Sequence, residues 1–296
     1  MKIAFVGASG YGNVGDDTYP LVFRQQLRGH ELIFYNSDLP RHLPEDLGLL
    51  VIGGGGVVYN VSPDGEAPES PHFCCMKFYM DAAIARGIPW GILSCGFQFR
   101  GPYDATAAGW LAPWAAYLRQ AHFITLRSPS CVRICQEISG REDAHFFPDA
   151  AYLYRPTPQA CGSPLDRVVL VPAGSANPGD PQVVHQLRQL TSAGLSLSCL
   201  SMGAVVDDGG WMERMASRFP EAQILDRPTP AMAFEHIARS RFVITGRYHG
   251  MVFARASRVP FITPVDVPYK IRVEDFQADI AAANGHFDVL GCFIRA

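Results

Sequence analysis

Near its C-terminal end the chain reads VITGRYHGMVFARASRVPFITPVDVPYK, Val243 to Lys270. A guanidinium, an imidazole and an ammonium, from Arg247, His249 and Lys270, flank one short apolar helix. RFVIT has the apolar run of a buried strand and YHGMVFARAS the pattern of a helix, so Arg247 and His249 fall at a strand-to-helix junction. A helix start exposes unpaired N–H groups and carries about half a positive charge. PFITPV then leads to DVPYK and brings Lys270 to a comparable strand end. One basic residue in such a place is ordinarily a solvated surface charge; three around one helix predict an anion site. His249 can in addition carry a proton, because imidazole changes charge at about pH 6.5. HFITLRSPS puts Arg127 just past another buried strand, where it either faces the anion or pairs with a local carboxylate such as Glu137 or Asp149.

A formal net charge of −3 and a pI near 6.3 leave no broad basic footprint, which excludes a nucleic-acid partner and makes any anion site local. Two glycine-rich stretches add to it. In GASGYGNVGDD, Gly10, Gly12 and Gly15 spell the dinucleotide fingerprint, with Asp38 at roughly the ~20-residue offset of a ribose ligand. The motif starts late after the strand, however, and Asp16 and Asp17 place negative charge where a pyrophosphate needs a helix N-terminus. The two acids suit neutral sugar hydroxyls, with Asn13 binding another, or else one of them caps a helix. The second stretch, LLVIGGGGVVYN, is expected as a strand followed by a glycine loop in which Gly54 and Gly55 offer bare amides to a ligand.

These residues need a scaffold. The chain has 296 residues, 48% of them hydrophobic, enough for two cores. Apolar strands alternate with helices, the pattern of βαβ units in parallel sheets. The turn-rich YRPTPQACGSPLDR, Tyr154 to Arg167, breaks the rhythm like a linker. The expected architecture is α/β, with two doubly wound parallel-sheet domains facing a cleft. Residues 1–156 are expected as one domain, carrying Arg127, and residues 165–296 as the other, carrying His249 and Lys270, with the last helix able to pack back on the first domain. Trp110 and Trp114, at i and i+4 in the expected helix ATAAGWLAPWAAYLRQA, have core spacing, with sugar stacking as the alternative; Tyr103 is a further candidate for contact with a sugar. Eight cysteines without zinc spacing are expected as buried thiols. The opening MKIAFVGASG begins a strand and offers no apolar stretch for a signal peptide or membrane span, so a cytoplasmic location is expected.

The ordered set GYGNVGDD, VIGGGG, LRSPS, FPDAAYL, GRYHGMVFA and PYK resembles the polysaccharide pyruvyl transferase family. That resemblance implies a GT-B-like pair of domains and transfer of the enolpyruvyl group of phosphoenolpyruvate to a sugar as a pyruvate ketal. The family's donor-binding Arg, His and Lys match Arg127, His249 and Lys270. Two departures stand out: Ser128 replaces the Asp that often follows that Arg, and VDVPY precedes Lys270 in place of a Tyr-Asp-Pro pattern. The implied roles are His249 as proton carrier, Arg127 on the carboxylate, Lys270 on the phosphate with Arg247 as auxiliary or anchor, and Asn13, Asp16 and Asp17 toward the acceptor, one Asp serving as base. No metal and no cofactor are expected. The implied partners are phosphoenolpyruvate and a glycan or lipid-linked oligosaccharide of exopolysaccharide assembly, with at most peripheral membrane association. A sugar-nucleotide-dependent glycosyltransferase is the alternative.

Overall fold

The computed structural model describes residues 1–36, 41–60, 69–99, 103–156, 165–173, 176–203, 207–263 and 279–295. Lys270 and Asp38 lie outside the described residues. The chain forms two compact units. Met1–Ser9, Tyr19–Leu153 and Arg272–Ala296 make the first; Gly10–Thr18 and Tyr154–Ile271 make the second. The glycine loop after the first strand thus belongs to the second unit, and the C-terminal helix to the first.

In the first unit β1 (Lys2–Val6), β2 (Glu31–Tyr35), β3 (Leu49–Val58), β4 (Trp90–Phe97), β5 (Phe123–Leu126) and β6 (His145–Phe146) form one sheet in the order β2-β1-β3-β4-β5-β6. Every pairing is parallel. The apolar runs KIAFV and LLVI are buried because helices cover both faces. On one side α1 (Thr18–Gln26) brings Phe23 onto Phe5, ring centroids 4.6 Å apart. The C-terminal helix, α10 (Gly285–Arg295), sets Phe287 against Phe23 and Phe293 against Phe123. On the other side α2 (Pro71–Ala85) and its neighbours bury Phe73, Tyr79 and Trp114.

Two sequence expectations change here. The four glycines are not a loop: β3 runs through them to Val58, with a register shift against β4 between Gly55 and Val58. Gly54 and Gly55 adopt φ of +36° and +93°, which only glycine tolerates without strain. A Cβ on Gly54 would meet the Tyr19 ring, 2.7 Å from its Cδ2, and one on Gly53 would lie 3.2 Å from Leu93 Cβ. The glycines therefore serve a bulged, closely covered strand. Likewise the stretch from Ala105 to Gln120 is not one helix. It divides into α3 (Ala105–Leu111), a 3-10 turn (Ala112–Trp114) and α4 (Ala115–Gln120), because Pro113 has no N–H to continue the ladder. Trp114 is buried there with its indole donating to Tyr59 O at 3.0 Å, the core role and not a sugar platform.

In the second unit β7 (Arg167–Val171), β8 (Ser196–Leu200), β9 (Gln223–Leu225), β10 (Phe242–Thr245) and β11 (Phe261–Ile262) form a parallel sheet in the order β11-β10-β7-β8-β9. The chain starts in the middle at β7, winds out to β9, and returns to β7's other side at β10. The switch point lies between β7 and β10, and in such sheets ligands bind beyond the strand ends at that place. Among the described residues no helix is long and apolar enough to cross a membrane.

One buried histidine went unremarked in the sequence. His286, on α10, is fully buried, 2.7 Å from Thr125 Oγ1 by Nδ1 and 3.0 Å from Pro148 O by Nε2. A carbonyl only accepts, so Nε2 carries the proton and Nδ1 accepts from the Thr125 hydroxyl. Burial depresses its pKa to about 4, against the opposing pull of Asp149. A histidine whose folded pKa lies below its unfolded value near 6.5 destabilises the fold as it charges, so the loss comes as pH falls from about 6.5 towards 4. Urea unfolding should show stability that is flat above pH 7 and falls through this window. His286→Gln, which keeps a donor for Pro148 O and cannot titrate, should lose about one proton's worth of that slope; an unchanged slope would contradict the assignment.

Candidate functional site

The second unit's sheet positions the Gly-Arg-Tyr-His-Gly box. β10 ends at Thr245, whose hydroxyl accepts from Arg247 N and donates to Arg247 O, both at 3.0 Å. This tight turn launches α9 (Tyr248–Ala256), with Arg247 at its N-cap. A Cβ on Gly246 would lie 2.9 Å from the Ala173 carbonyl carbon, and one on Gly250 3.1 Å from Thr245 Cβ. Both glycines exist to let the helix start sit directly on the ends of β7 and β10. Arg247 Nε donates to Pro172 O, just past β7, at 3.2 Å. The bond ties together the ends of the two strands that flank the switch point. His249 is the second residue of α9 and is buried, with the Tyr248 ring edge-on to it.

The loop Gly10–Thr18 is built onto this unit from the other end of the sequence. Val14 N donates to Met202 O, beyond β8, at 3.0 Å. Asn13 Oδ1 accepts from Gly15 N at 3.1 Å, and Asp17 Oδ1 accepts from Gly10 N at 2.6 Å. Asn13 and Asp17 thus shape the loop's backbone. Asp17 also donates its backbone N–H to Asn13 O at 2.8 Å, and α1 begins at the next residue, Thr18. Gly15 lies against the His249 imidazole, so the loop and the histidine, 234 positions apart in the chain numbering, are neighbours. A dinucleotide reading of the glycines is not needed to explain any of them.

Arg127 stands in the first unit, just after β5. Its Nη1 donates to Asp149 Oδ2 at 3.1 Å; the Tyr19 hydroxyl donates to the same oxygen at 2.7 Å, and Asp149 Oδ1 accepts from Ala151 N at 2.8 Å. Asp149 is fully buried and Arg127 nearly so. Of the partners the sequence offered, Asp149 is the one found. Arg127 Nε lies 2.6 Å from where a Cβ on Gly96 would be, so the guanidinium also relies on that glycine's bareness. Gly54 and Gly55 lie within buried β3 rather than in the open loop expected of them. Tyr103 packs on Phe99 at the margin of the first unit's core, and burial, then the Glu137 carboxylate, pushes its phenol up to about 12. Among the described residues no group of three or more His, Cys, Asp or Glu side chains is arranged to hold a metal ion. The cysteines described are free thiols.

Comparison with known proteins decides the family. The polysaccharide pyruvyl transferase model matches residues 13–267, most of the chain. The chain belongs to that family. No curated protein matches it. Its fold is shared with UDP-GlcNAc 2-epimerases: a Neisseria meningitidis enzyme bound to UDP-GlcNAc (8% identity, all of both chains covered, TM-score 0.58) and a Listeria monocytogenes protein described as putative (10%, all of this chain and 88% of that one, 0.59). The S. aureus MnaA–UDP structure is similar as well (11%, 89% and 78%, 0.57). At such identities the likeness is one of fold: two parallel-sheet α/β domains of the GT-B-like kind.

Against the family's pattern, Ser128 now has a structural explanation. It is the N-cap of α5 (Pro129–Ser139), its hydroxyl accepting from Cys131 N at 3.2 Å. Asp and Ser are interchangeable in that task, so the departure preserves the turn that follows Arg127. The family match ends at residue 267, and Lys270 lies outside the described residues.

The Arg127–Asp149 pair generates a stability prediction. Removing one charge of a buried pair strands the other and costs about 3–5 kcal/mol, whereas replacing both with neutral groups is often much milder. Asp149→Asn should lower the urea midpoint sharply, and Arg127→Met with Asp149→Asn should recover most of the loss. Equal destabilisation by the single and double variants would contradict this.

Proposed function

We propose that the protein is a pyruvyltransferase that moves the enolpyruvyl group of phosphoenolpyruvate onto a sugar of a polysaccharide or its lipid-linked precursor, releasing phosphate. The observation that carries the reading is the family match across residues 13–267. The placement of His249 at a helix start beside the β7/β10 switch point supports it from the geometry.

The chemistry is a balanced exchange. The methylene carbon of phosphoenolpyruvate takes a proton, one sugar hydroxyl oxygen bonds to C2, and the C2–O bond to phosphate breaks. A second hydroxyl of the same sugar closes the ketal. Two hydroxyl protons are lost; one balances the new methyl group and the other leaves with phosphate. His249 is assigned the proton delivered to the methylene. A helix start disfavours an imidazolium, and a bound phosphate's full charge outweighs that partial one. Lys270 is assigned the phosphate, with Arg247 as its auxiliary or as an anchor of the helix start. Arg127 is assigned the carboxylate; because Asp149 already balances its charge, it contributes orientation more than net attraction. Asn13, Asp16 and Asp17 are assigned to the acceptor hydroxyls, with one aspartate as base. The location that fits a glycan acceptor of this kind is the cytoplasm or the inner face of the membrane.

A second reading draws on the structural neighbours, one of which is bound to UDP-GlcNAc and another to UDP. A sugar-nucleotide-dependent transferase would also use a cationic site beyond β7 and β10. Thermal-shift measurements separate the two: stabilisation by phosphoenolpyruvate and not by UDP or GDP is expected, and the reverse would favour the second reading.

The direct test incubates the protein with phosphoenolpyruvate and a panel of oligosaccharides. Phosphate release only with an acceptor is expected, accompanied by a mass gain of one pyruvate ketal on the sugar. His249→Ala should lose about 10²–10⁴-fold in turnover while the fold survives. Full activity of that variant would remove His249 from the mechanism.

A further inference from the structure

We infer that Gly15 is a positioning residue for His249, and that the glycine loop near the N-terminus exists to fix the orientation of the imidazole. The inference rests on the assignment of His249 as proton carrier and adds a residue that acts through it.

The glycines of this loop are not alike. Gly10 and Gly12 adopt φ of +93° and +75°, so their backbone conformations explain their identity. Gly15 has no such conformation. What excludes a side chain at position 15 is His249: a Cβ there would fall on the imidazole Nδ1 and Cγ and lie 2.6 Å from the histidine Cβ. The bare backbone at Gly15 is therefore a wall against the edge of the ring that carries Nδ1.

Neither side of this contact can retreat cheaply. The histidine's backbone is held by α9, which Gly250 seats against Thr245 and Val171. The loop is held by Val14 N on Met202 O, by Asn13 Oδ1 accepting from Gly15 N, and by Asp17 Oδ1 accepting from Gly10 N. Asn13 and Asp17 immobilise the wall, and Gly15 supplies it. A ring trapped in this way spends little time in other rotamers, which is the orientation a proton transfer needs. Adding one methyl group at position 15 must turn the imidazole or displace the loop, and a shift of about 1 Å at such a site typically costs on the order of 10²-fold in turnover.

The test uses the full chain with histidines isotopically labelled for NMR, His249 being assigned by the signal lost in His249→Gln. In Gly15→Ala the His249 ring signal should move in position and titration midpoint while the other histidines stay unchanged. Turnover should fall about 100-fold with KM for phosphoenolpyruvate nearly unaffected. In the His249→Gln background, Gly15→Ala should cause no further loss, whereas damage to the fold alone would still be felt. Asn13→Ala, which loosens the loop without adding an atom, should shift the same signal by less and serves if Gly15→Ala does not fold. An unmoved His249 signal in these variants, or an equal loss of turnover with and without His249, overturns the positioning role. Full activity of His249→Gln would instead overturn the catalytic assignment and leave the NMR result standing as geometry.

Discussion

The imidazole of His249 and the backbone of Gly15 occupy adjoining space, and the bonds and bare glycines around the start of α9 and in the loop hold them there. β7 and β10 must end side by side for α9 to begin over them, which is why Gly246 and Gly250 are bare and why Arg247 Nε bridges to Pro172 O. The loop must come from the far end of the sequence and be pinned beyond β8, which is the work of the Val14 bond to Met202. If the histidine were displaced, these features would have no common purpose.

The first unit shows the same preference for close backbone approach, applied to stability. β3 carries its glycines inside the sheet so that Tyr19 can lie against the bulge, and the Tyr19 hydroxyl then reaches Asp149, the partner of Arg127. A buried arginine, a buried carboxylate and a phenol are thus satisfied together by one strand irregularity. Desolvating such charges is costly, and several hydrogen bonds on Asp149 are what make it tolerable. α10 closes this unit with His286 on Thr125 and Pro148, linking the last helix to β5, the strand that leads to Arg127.

How much of this was legible in the sequence follows from the range of each interaction. The strands and most helices were readable because apolar runs and 3.6-residue spacing are local, and so was the box of Arg247 and His249 at a strand-to-helix junction. The glycines after Ile52 were misread as a loop, since glycine marks a turn and a tightly covered bulge equally well. Pro113 was passed over inside an otherwise helical stretch, although its missing N–H divides that stretch. Asp149 was among the partners named for Arg127, but choosing between it and Glu137 required the tertiary structure. The contact of Gly15 with His249 was invisible because no local pattern connects residues so far apart in sequence. The same holds for His286, which in sequence is one more polar residue on an amphipathic helix.

The central claim is that the proton delivered to the methylene of phosphoenolpyruvate passes through His249. Its most direct measurement is the reaction run in heavy water, with the product's methyl group read by mass spectrometry or NMR. The account predicts a pyruvate ketal whose methyl group carries one deuterium, formed by the native protein and not by a variant lacking the His249 imidazole. A product that keeps its carbon–carbon double bond, a methyl group without solvent deuterium, or labelled ketal formed equally well without His249 would contradict it.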